Sequence, residues 1–514
     1  MKKTELTLKH IQEYVEQLIP ENELAPRSVG EVMALPSFYS KLKVCEETYA
    51  TEYAALDTDL QSAFVLRRLQ QLTNIALLNP LWREKLAEAG VYCAPHSMEE
   101  WQQIPICDKD TVRNFFSGDR PGMVVPLSHG GFEIVASGGT SSGTPSETVY
   151  SLKELSYTYE LAGDFIGKYM LSNYLVGDAP KWLITTLADY QMWSSGTMVG
   201  GVLQKVPGIN YIGAGPVVPA VFQQIMSYEG PKALMGISQG IAVLSDLGRG
   251  LGEKERGSFK VAMYGSGVFP QKKRAELKRL YPNLSFLSYF AATQAEAIGL
   301  QIDAENPWLS SVPGLHLVEI VDKDGQWVKE GEEGELVVTR LHATEAPVLR
   351  FRIGDRMVRR PAIDTARLKT DQFELVGRSG DIIHIADTQY PAVLVFEAIC
   401  KQFVRLQLFD LKVIADEYQF VNNRPLKQLT LFLAVDIPSA AQSAFVYRTG
   451  GVASSRLLFI QGLIEALSVF NQGEANQYSL EKTGYQFEIR FAPKQSPEIF
   501  RTEVGKTPLL KDIL

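Results

Sequence analysis

The hydrophobic positions along the chain change their spacing twice and so divide it into regions. Up to about residue 115, apolar residues recur at helical intervals, as in DLQSAFVLRRLQQLTNIALL, which has no internal glycine or proline. From about 130 to 345, short β-branched runs such as KWLITTL alternate with helical ones such as QKKRAELKRLY. This alternation predicts parallel strands joined by crossover helices.

Two later patterns complete the predicted architecture. The stretch LHLVEIVDKDGQWVKEGEEGELVVTRL resembles a β-meander with a turn at Asp324-Gly325. From about 382 to 514, strand and helix patterns such as LVFEAICKQF and LKQLTLFLAV predict a small α+β domain. Glycine and aspartate punctuate GRSGDIIHI between two apolar blocks. We therefore predict an α/β protein with one large domain over residues 1–380 and a small one over 381–514.

Composition and charge narrow the class of protein. A chain of 514 residues, 45% hydrophobic, has the length of two or more domains. The formal net charge of −8 argues against a general nucleic-acid binder. The cysteines, Cys45, Cys93, Cys107 and Cys400, are scattered and form no C-x-x-C pair. With a charged amino terminus and no run of about 18 apolar residues, we expect a soluble, cytoplasmic, enzyme-sized protein without a membrane span.

The stretch VASGGTSSGTPSETVYS carries the first chemical signal. From Gly138 to Thr144 it reads G-x-x-x-x-G-T, and Thr144 stands where a nucleotide-binding P-loop has its lysine. Backbone N–H groups in such a turn form an anion-binding nest, and the hydroxyl side chains add donors. The alternative is a flexible surface loop. A P-loop kinase or NTPase is disfavoured, because positive charge for phosphoryl chemistry would have to come from elsewhere.

Three weaker motifs follow along the chain. Arg352, Gly354 and Asp355 form R-x-G-D after an apolar run, and a carboxylate at a strand end can bind a ribose diol. In GRSGDIIHIAD, Arg378 is a candidate for contact with a phosphate or ribose. Lys506 lies in the terminal stretch FRTEVGKTPLLKDIL. Each has an ordinary alternative, namely a turn, a polar linker and a solvated lysine on the tail.

The order of these motifs resembles the acyl-adenylate-forming (ANL) superfamily, and in particular its phenylacetate–CoA ligase branch. NPLWREKLAEAGV, QMWSSGTMVGGVLQKVPGINYIGAGPVVP and DTQYPAVLVFEAI are similar to further segments of that branch. The resemblance covers roughly residues 75 to 514. Residues 1–75 match poorly and form a divergent helical entry segment, which could supply a dimer face or cover the pocket.

The resemblance implies a two-step reaction. A carboxylate attacks the α-phosphorus of ATP to give acyl-AMP and pyrophosphate, and a thiol, usually that of coenzyme A, then displaces AMP. Lys506 would bridge the carboxylate and the α-phosphate, which supplies the charge that the glycine-rich loop lacks. Asp355 would bind the ribose hydroxyls, with Arg378 close by. The loop residues that would hold the phosphates are Ser137, Gly139, Thr140, Ser141, Ser142, Gly143 and Thr144.

The same resemblance assigns the adenine and α-phosphate contacts. In YGSGVFP, Gly265, Ser266 and Gly267 would lie flat against the base, because a side chain would block a stacked ring. In SYFAATQAEAIG, Phe290 occupies the family's aromatic position and Thr293 the hydroxyl that meets the α-phosphate.

This chain departs from the family at several positions. Gln294 replaces the glutamate that helps to position Mg²⁺, and an amide oxygen is a poorer ligand for a hard cation. Glu296, two residues on, could substitute for it. Asp387 stands in place of a glycine after the hinge, and Gly267 replaces a common acidic residue. These changes keep open a weakly active or non-catalytic nucleotide-binding homologue.

The resemblance also implies a large N-terminal adenylating domain and a mobile C-terminal domain that rotates about Asp381 between the two half-reactions. An aromatic and apolar acid pocket, typical of aryl or arylalkyl acids, would be lined by Trp193, Met198, Tyr264, Val268, Phe290 and Ala291. For each of these residues, an ordinary core position is the alternative. The acyl acceptor could be coenzyme A, a carrier-protein thiol or an amine, and a homodimer is possible.

Overall fold

The computed structural model describes residues 7–136, 146–190, 192–267, 269–378, 380–386, 388–449, 452–469, 477–502 and 507–514. The chain forms two compact units. The first consists of Met1–Gly236, Ser258–Met263 and Ser285–Leu375, and the second of Ile237–Gly257, Tyr264–Leu284 and Val376–Leu514. The domain boundary that the sequence places at residue 380 stays a prediction.

The first unit begins with short helices, as the apolar spacing predicts. Asn79 caps one of them, because its side chain accepts hydrogen bonds from the N–H groups of Leu81 and Trp82, and Pro80 takes the first helical position. The helices are α1 (Leu8–Leu18), α2 (Glu21–Leu24), α3 (Val29–Ala34), α4 (Phe38–Tyr49), α5 (Thr58–Ala76), α6 (Pro80–Glu88), α7 (Met98–Trp101) and α8 (Lys109–Phe116).

A two-stranded hairpin follows these helices, and the later strands build a large mixed sheet. The hairpin pairs β1 (Phe132–Ala136) with β2 (Glu147–Ser151). The sheet strands are β3 (Trp182–Thr185), β4 (Asn210–Gly213), β5 (Lys232–Ile237), β6 (Phe259–Gly265), β7 (Ser285–Ala292), β8 (Ala295–Asp303), β9 (Asn306–Ser310), β10 (His316–Val321), β11 (Glu333–Arg340), β12 (Phe351–Asp364) and β13 (Lys369–Arg378). Their order is β10-β11-β12-β13-β9-β8-β7-β6-β5-β3-β4.

The directions of these strands match both predicted patterns. Strand β3 runs parallel to β4 and to β5, and β10, β11 and β12 form an antiparallel meander. The predicted Asp-Gly turn is present, with Gly325 at a φ of 78° and its N–H bonded to the carbonyl oxygen of Asp322. The intervening helices are α9 (Leu152–Phe165), which continues as a π-helix over Ile166–Leu171, α10 (Ser195–Leu203), α11 (Pro219–Ser227), α12 (Ser238–Ala242), α13 (Leu244–Leu247), α14 (Glu253–Ser258) and α15 (Gln271–Leu280).

One core joins the entry helices to the antiparallel part of the sheet. Phe64, Trp82 and Trp101 from the helices pack in the same buried cluster as Leu336 and Phe351 from the strands. Burial of aromatic side chains of this size contributes about 2 to 3 kcal/mol each relative to exposure. The divergent entry segment is therefore an integral part of the first unit's core.

The carboxyl-terminal part of the second unit has the predicted α+β pattern. Its four-stranded sheet has the order β18-β17-β16-β19, with β16 parallel to β19 and β17 parallel to β18. Its elements are β14 (Ile382–Ile385), β15 (Thr388–Pro391), α16 (Ala392–Arg405), α17 (Leu411–Ile414), β16 (Glu417–Asn423), β17 (Gln428–Val435), α18 (Pro438–Thr449), α19 (Val452–Val469), α20 (Gln477–Lys482), β18 (Gln486–Pro493) and β19 (Leu510–Ile513). Among the described residues, no helix has the length and apolar character needed to cross a bilayer.

Candidate functional site

The strands that flank the glycine-rich loop form a regular antiparallel pair. Ala136, the last residue of β1, lies opposite Glu147, the first residue of β2, and Glu133 lies opposite Tyr150. The loop residues predicted to hold phosphates, Ser137, Gly139, Thr140, Ser141, Ser142, Gly143 and Thr144, lie outside the described residues, as do Val268 and Lys506. Their assignments stay predictions.

Tyr150 connects this hairpin to the turn predicted to meet the α-phosphate. Its side chain is 1% exposed, and its hydroxyl donates a hydrogen bond of 2.9 Å to the carbonyl oxygen of Thr293. Thr293 and Gln294 form the turn between β7 and β8, where Ala292 pairs with Ala295. The structure therefore brings the base of the glycine-rich loop and the Thr293 turn together.

Arg340, at the end of β11, holds Tyr150 in place. The guanidinium lies 4.2 Å from the centroid of the Tyr150 ring, and Nη2 donates hydrogen bonds to the carbonyl oxygens of Val149 and Ala346, both at 3.1 Å. It also forms a buried ion pair with Glu154, with 3.3 Å between Arg340 Nε and Glu154 Oε1. Burial raises the pKa of Glu154 to about 7, although the charge of Arg340 opposes that shift.

Sequence reasoning missed both of these residues. Tyr150 lies within the stretch VASGGTSSGTPSETVYS. It falls in the strand β2, and nothing in the sequence distinguishes it from the other side chains of that strand. The sequence offers one indication that Arg340 is buried, which is its position as the single charged residue in the apolar run VVTRL. Such a charge is rarely buried without a defined partner, yet the sequence does not indicate which partner it has.

The predicted adenine segment is a pinned turn at the end of β6. Gly265 is buried, whereas Ser266 and Gly267 are exposed and have φ angles of 60° and 149°. The hydroxyl of Ser238 donates to the carbonyl oxygens of Gly267, at 2.9 Å, and Gly265, at 3.3 Å. An exposed backbone surface held in this way is suited to a flat ring. Beside it, the hydroxyl of Tyr264 accepts a hydrogen bond of 2.8 Å from Arg274.

Asp355 lies inside β12, whereas the sequence predicts a carboxylate at the end of a strand. The pairs Glu335–Arg356 and Val337–Arg352 leave extra residues on β12, so the strand bulges around Gly354. Gly354 adopts a φ of 94°, which glycine tolerates, and the strand continues beyond it. Asp355 is 6% exposed at this bulge.

Arg378 and Asp381 occupy a turn in the second unit. Arg378 is the last residue of β13 and is exposed. The N–H of Asp381 donates to the carbonyl oxygen of Arg378 at 3.1 Å, and the carbonyl oxygen of Asp381 accepts from the N–H of Ala392 at 2.9 Å. The predicted hinge residue therefore has both backbone groups bonded. Asp387 lies outside the described residues.

The residues predicted to line the acid pocket differ in exposure. Met198 on α10 is 2% exposed and packs with Val135, Tyr150 and Leu155. Trp193, Phe290 and Ala291 are half-buried. Met198 therefore has the packing of a core side chain, and the other three have the partial exposure that a pocket wall needs.

The two predicted metal contacts lie in buried positions. Gln294 is 8% exposed and Glu296, on β8, is 9% exposed. Burial, with the nearby charge of Glu133, raises the pKa of Glu296 to about 8, so this carboxyl is mostly protonated at neutral pH. Mg²⁺ binds charged oxygen ligands and retains several waters. Among the described residues, no group of three or more His, Cys, Asp or Glu side chains could hold a metal ion. The surroundings of Glu296 therefore do not fit a Mg²⁺ site.

The comparisons with known proteins agree with the predicted fold class. The chain has the fold of the acyl-adenylate-forming ligases, so the predicted resemblance is confirmed at the level of the fold. A solved structure of 2-hydroxyisobutyryl-CoA ligase, in the postadenylation state with 2-HIB-AMP, has a TM-score of 0.66 at 16% identity and covers 90% of this chain and 91% of that one. An acyl acid amido synthetase in complex with 2,4-DB has a TM-score of 0.56 at 13% identity, covering 89% and 95%.

A relative by sequence lies in the predicted branch. The chain is 24% identical over 356 residues to phenylacetate-coenzyme A ligase of Escherichia coli (strain K12), covering 67% of this chain and 76% of that protein. No protein-family model matches the chain.

Proposed function

We propose that this protein activates a carboxylic acid with ATP and transfers the acyl group to the thiol of coenzyme A. The hydrogen bond between Tyr150 and Thr293 is the observation that carries the proposal, because it fixes the strand after the glycine-rich loop beside the turn that is predicted to meet the α-phosphate. The sequence match to a phenylacetate-coenzyme A ligase supports the same reaction.

The reaction consists of two balanced displacements. In the first, a carboxylate oxygen bonds to the α-phosphorus of ATP, and the bond from that phosphorus to pyrophosphate breaks. In the second, the sulfur of coenzyme A bonds to the acyl carbon, its thiol proton is lost, and AMP leaves. Because two anions meet in the first step, positive charge must be positioned at the α-phosphate. We assign that role to Lys506.

The proposal assigns each part of the nucleotide to residues that match the family's motifs. Asp355 would accept hydrogen bonds from two ribose hydroxyls, since a carboxylate has acceptor sites for both. The turn at Gly265, Ser266 and Gly267 would present its exposed backbone to adenine. The hydroxyl-rich loop would hold the outer phosphates through N–H and O–H donors. Mg²⁺ would arrive bound to the phosphates of ATP, and we derive no step from it.

For the organic part of the acid we propose an aryl or arylalkyl group. The partial exposure of Trp193 and Phe290 supports aromatic walls for the pocket. A carrier-protein thiol or an amine as acceptor would share the first displacement. A different class of function, non-catalytic nucleotide binding, is supported by Gln294 and by the raised pKa of Glu296.

Carboxylate-dependent exchange of pyrophosphate into ATP separates these functions. We expect exchange with at least one aryl or arylalkyl acid, and acyl-CoA when coenzyme A is added. Lys506→Ala should reduce exchange by about 100-fold while ATP binding, followed by calorimetry, remains. Lys511→Ala is the matched control near the same terminus, because Lys511 lies on β19 and its ammonium packs over the ring of Phe500. ATP binding without exchange for any acid would establish the non-catalytic function instead.

A further inference from the structure

Glu133 projects from the β1–β2 hairpin on the face that packs against α9 and α10. It lies directly opposite Tyr150, and cross-strand partners in an antiparallel pair point to the same side of the sheet. Val135, two residues along β1, shares that side and packs with Tyr150 and Met198. The partly exposed Glu133 side chain therefore lies at the edge of the cluster that contains Met198 of α10.

Glu296 approaches the same region from β8. The Tyr150–Thr293 hydrogen bond holds the turn just before it, and the carbonyl oxygen of Glu296 bonds to Nε2 of His316 at 2.6 Å. Ala297 follows with a φ of 50°, so the backbone is irregular where the Glu296 side chain leaves it. The position of this carboxyl is fixed by its backbone contacts rather than by a side-chain partner.

Tyr159 on α9 completes the group. The ring packs against Gly201 of α10 so closely that a Cβ there would lie 2.4 Å from it. Burial raises the pKa of Tyr159, and the charges of Glu133, Glu296 and Asp189 raise it further. Tyr159 also packs against the cluster of Val135, Tyr150 and Met198, so it lies beside the hairpin face that carries Glu133 and near the turn that precedes Glu296.

The two glutamates have no compensating cation within the part of the chain that the structure describes. No described residue forms a hydrogen bond or an ion pair with either carboxyl group. Helix α10 and strand β7 carry no charged residue. On α9 and β2 the acidic groups are already paired: Glu154 with Arg340, Glu160 with Lys205, Asp164 with Lys168, and Glu147 with Arg120. Lys153, in the first turn of α9, is exposed and forms no ion pair with either glutamate. Asp189 accepts hydrogen bonds from Thr197.

Two neighbouring carboxyl groups without a described partner offer hydrogen-bond acceptors to a ligand, and a cation bound between them would favour the ionised form of Glu296. A metal ion is a poor candidate, because the described residues hold no metal-binding group here. A protonated amine has the required charge and three N–H donors, and it also gains from the face of a tyrosine ring. We propose that Glu133 and Glu296 select carboxylic acids that carry a protonated amine on their organic part. This inference rests on the proposed function, whose acid substrate it defines.

The test uses triplets of aryl and alkyl acids that differ at one position only, with a methyl, a hydroxyl or an aminomethyl group. Binding to the full chain is measured by calorimetry and turnover by pyrophosphate exchange. We expect the aminomethyl acid of at least one triplet to bind about tenfold more tightly than its methyl partner. In Glu296→Gln and Glu133→Gln the preference should fall to within about twofold, with binding of the methyl acid retained.

Glu160→Gln is the matched control, because it removes a carboxylate from α9 that is exposed and paired with Lys205. It should leave the preference unchanged. Glu133 is only partly buried, so Glu133→Gln keeps the test valid if the Glu296 variant does not fold.

The outcomes separate this inference from the proposed function. Amine-selective binding that is lost in the variants, without exchange for any acid, supports the inference and overturns the proposed ligase. Exchange with methyl acids and no preference for the amine in any triplet overturns the inference alone. An effect of Glu296→Gln on the Mg²⁺ dependence of exchange, with selectivity unchanged, would instead identify Glu296 as a metal contact and also overturn the inference.

Discussion

The hydroxyl of Tyr150 donates a 2.9 Å hydrogen bond to the carbonyl oxygen of Thr293, which ties β2 to the turn between β7 and β8. Tyr150→Phe removes this bond and leaves the packing of the ring. We expect a loss of about 1 kcal/mol in the free energy of unfolding and a roughly tenfold fall in the rate of pyrophosphate exchange. Chemical denaturation and the exchange assay measure the two effects.

Tyr289→Phe is the matched control for this prediction. Tyr289 is also a buried tyrosine, on β7, and its hydroxyl bonds to the carbonyl oxygen of Gly236 at the longer distance of 3.3 Å. It should lower stability by a comparable or smaller amount without the fall in exchange. Equal losses of exchange in the two variants would show that the Tyr150–Thr293 bond has no special role.

Arg350 anchors the segment that follows α7 to the sheet through a buried network. It is 1% exposed, and its guanidinium donates to the carbonyl oxygens of Gln102 at 2.6 Å, Ile104 at 2.8 Å and Gly325 at 2.7 Å. It also pairs with the buried Glu319 at 3.1 Å. Burial raises the pKa of Glu319, whereas the charge of Arg350 opposes the shift.

Arg350→Met would leave the Glu319 carboxylate and three carbonyl groups buried without this partner. We expect destabilisation by about 3 to 5 kcal/mol, measured by urea denaturation. Arg352→Met, two residues on, removes a more exposed ion pair with Glu335 and should cost about 1 kcal/mol or less. Similar costs for the two variants would contradict a special contribution from the buried network.

The helices and strands that were predicted correctly are those with a clear local periodicity of apolar residues. The apolar spacing of α5 and the alternation of β10 and β11 depend on neighbours along the chain, so they can be read directly. The resemblance to the acyl-adenylate-forming superfamily depends on the order of several weak motifs. The contacts of Tyr150 with Thr293 and of Arg350 with Gln102 could not be predicted, because each joins residues more than 100 positions apart.

Asp355 marks a second kind of difference. The R-x-G-D pattern is compatible with a turn or with a strand end, and the structure has neither. A bulge at Gly354 carries the strand through the motif. Whether the motif forms a turn, a strand end or a bulge depends on how β12 pairs with β11. The four residues of the motif do not determine that pairing.

The raised pKa of Glu296 implies that the free energy of unfolding depends on pH. Its pKa is raised from 4.5 to about 8 in the folded protein by burial and by Glu133. The folded state therefore binds this proton more tightly than the unfolded state does. The contribution of this group to the free energy of unfolding is fully present below about pH 4.5 and is lost as the pH rises through 8. Between these two pH values, the contribution falls by about 1.4 kcal/mol per pH unit.

Glu296→Gln removes this titration, so the melting temperature of the variant should fall less steeply than that of the parent between pH 5 and 8. Glu160→Gln should follow the parent profile, because its carboxylate is exposed. The melting temperatures are measured by differential scanning calorimetry at several pH values, in buffers with a low enthalpy of ionisation. Parallel profiles for the parent and Glu296→Gln would mean that Glu296 titrates near its ordinary pKa.

Asp381 provides a test of the predicted hinge. Asp381→Pro removes the N–H that donates to the carbonyl oxygen of Arg378 at 3.1 Å and fixes φ near about −65°. If the backbone at this residue must rotate between the half-reactions, a fixed φ impairs the step that follows the rotation. We expect thioester formation to slow by at least about tenfold, with a smaller effect on pyrophosphate exchange.

Asp381→Ala separates the backbone from the side chain. Alanine keeps the N–H and the freedom of φ, so the ratio of thioester formation to exchange should stay near that of the parent protein. A proline variant that loses both activities equally would argue that Asp381 supports the fold rather than the motion. A proline variant that keeps both would place the hinge at another residue, since the dihedral change would then occur outside position 381.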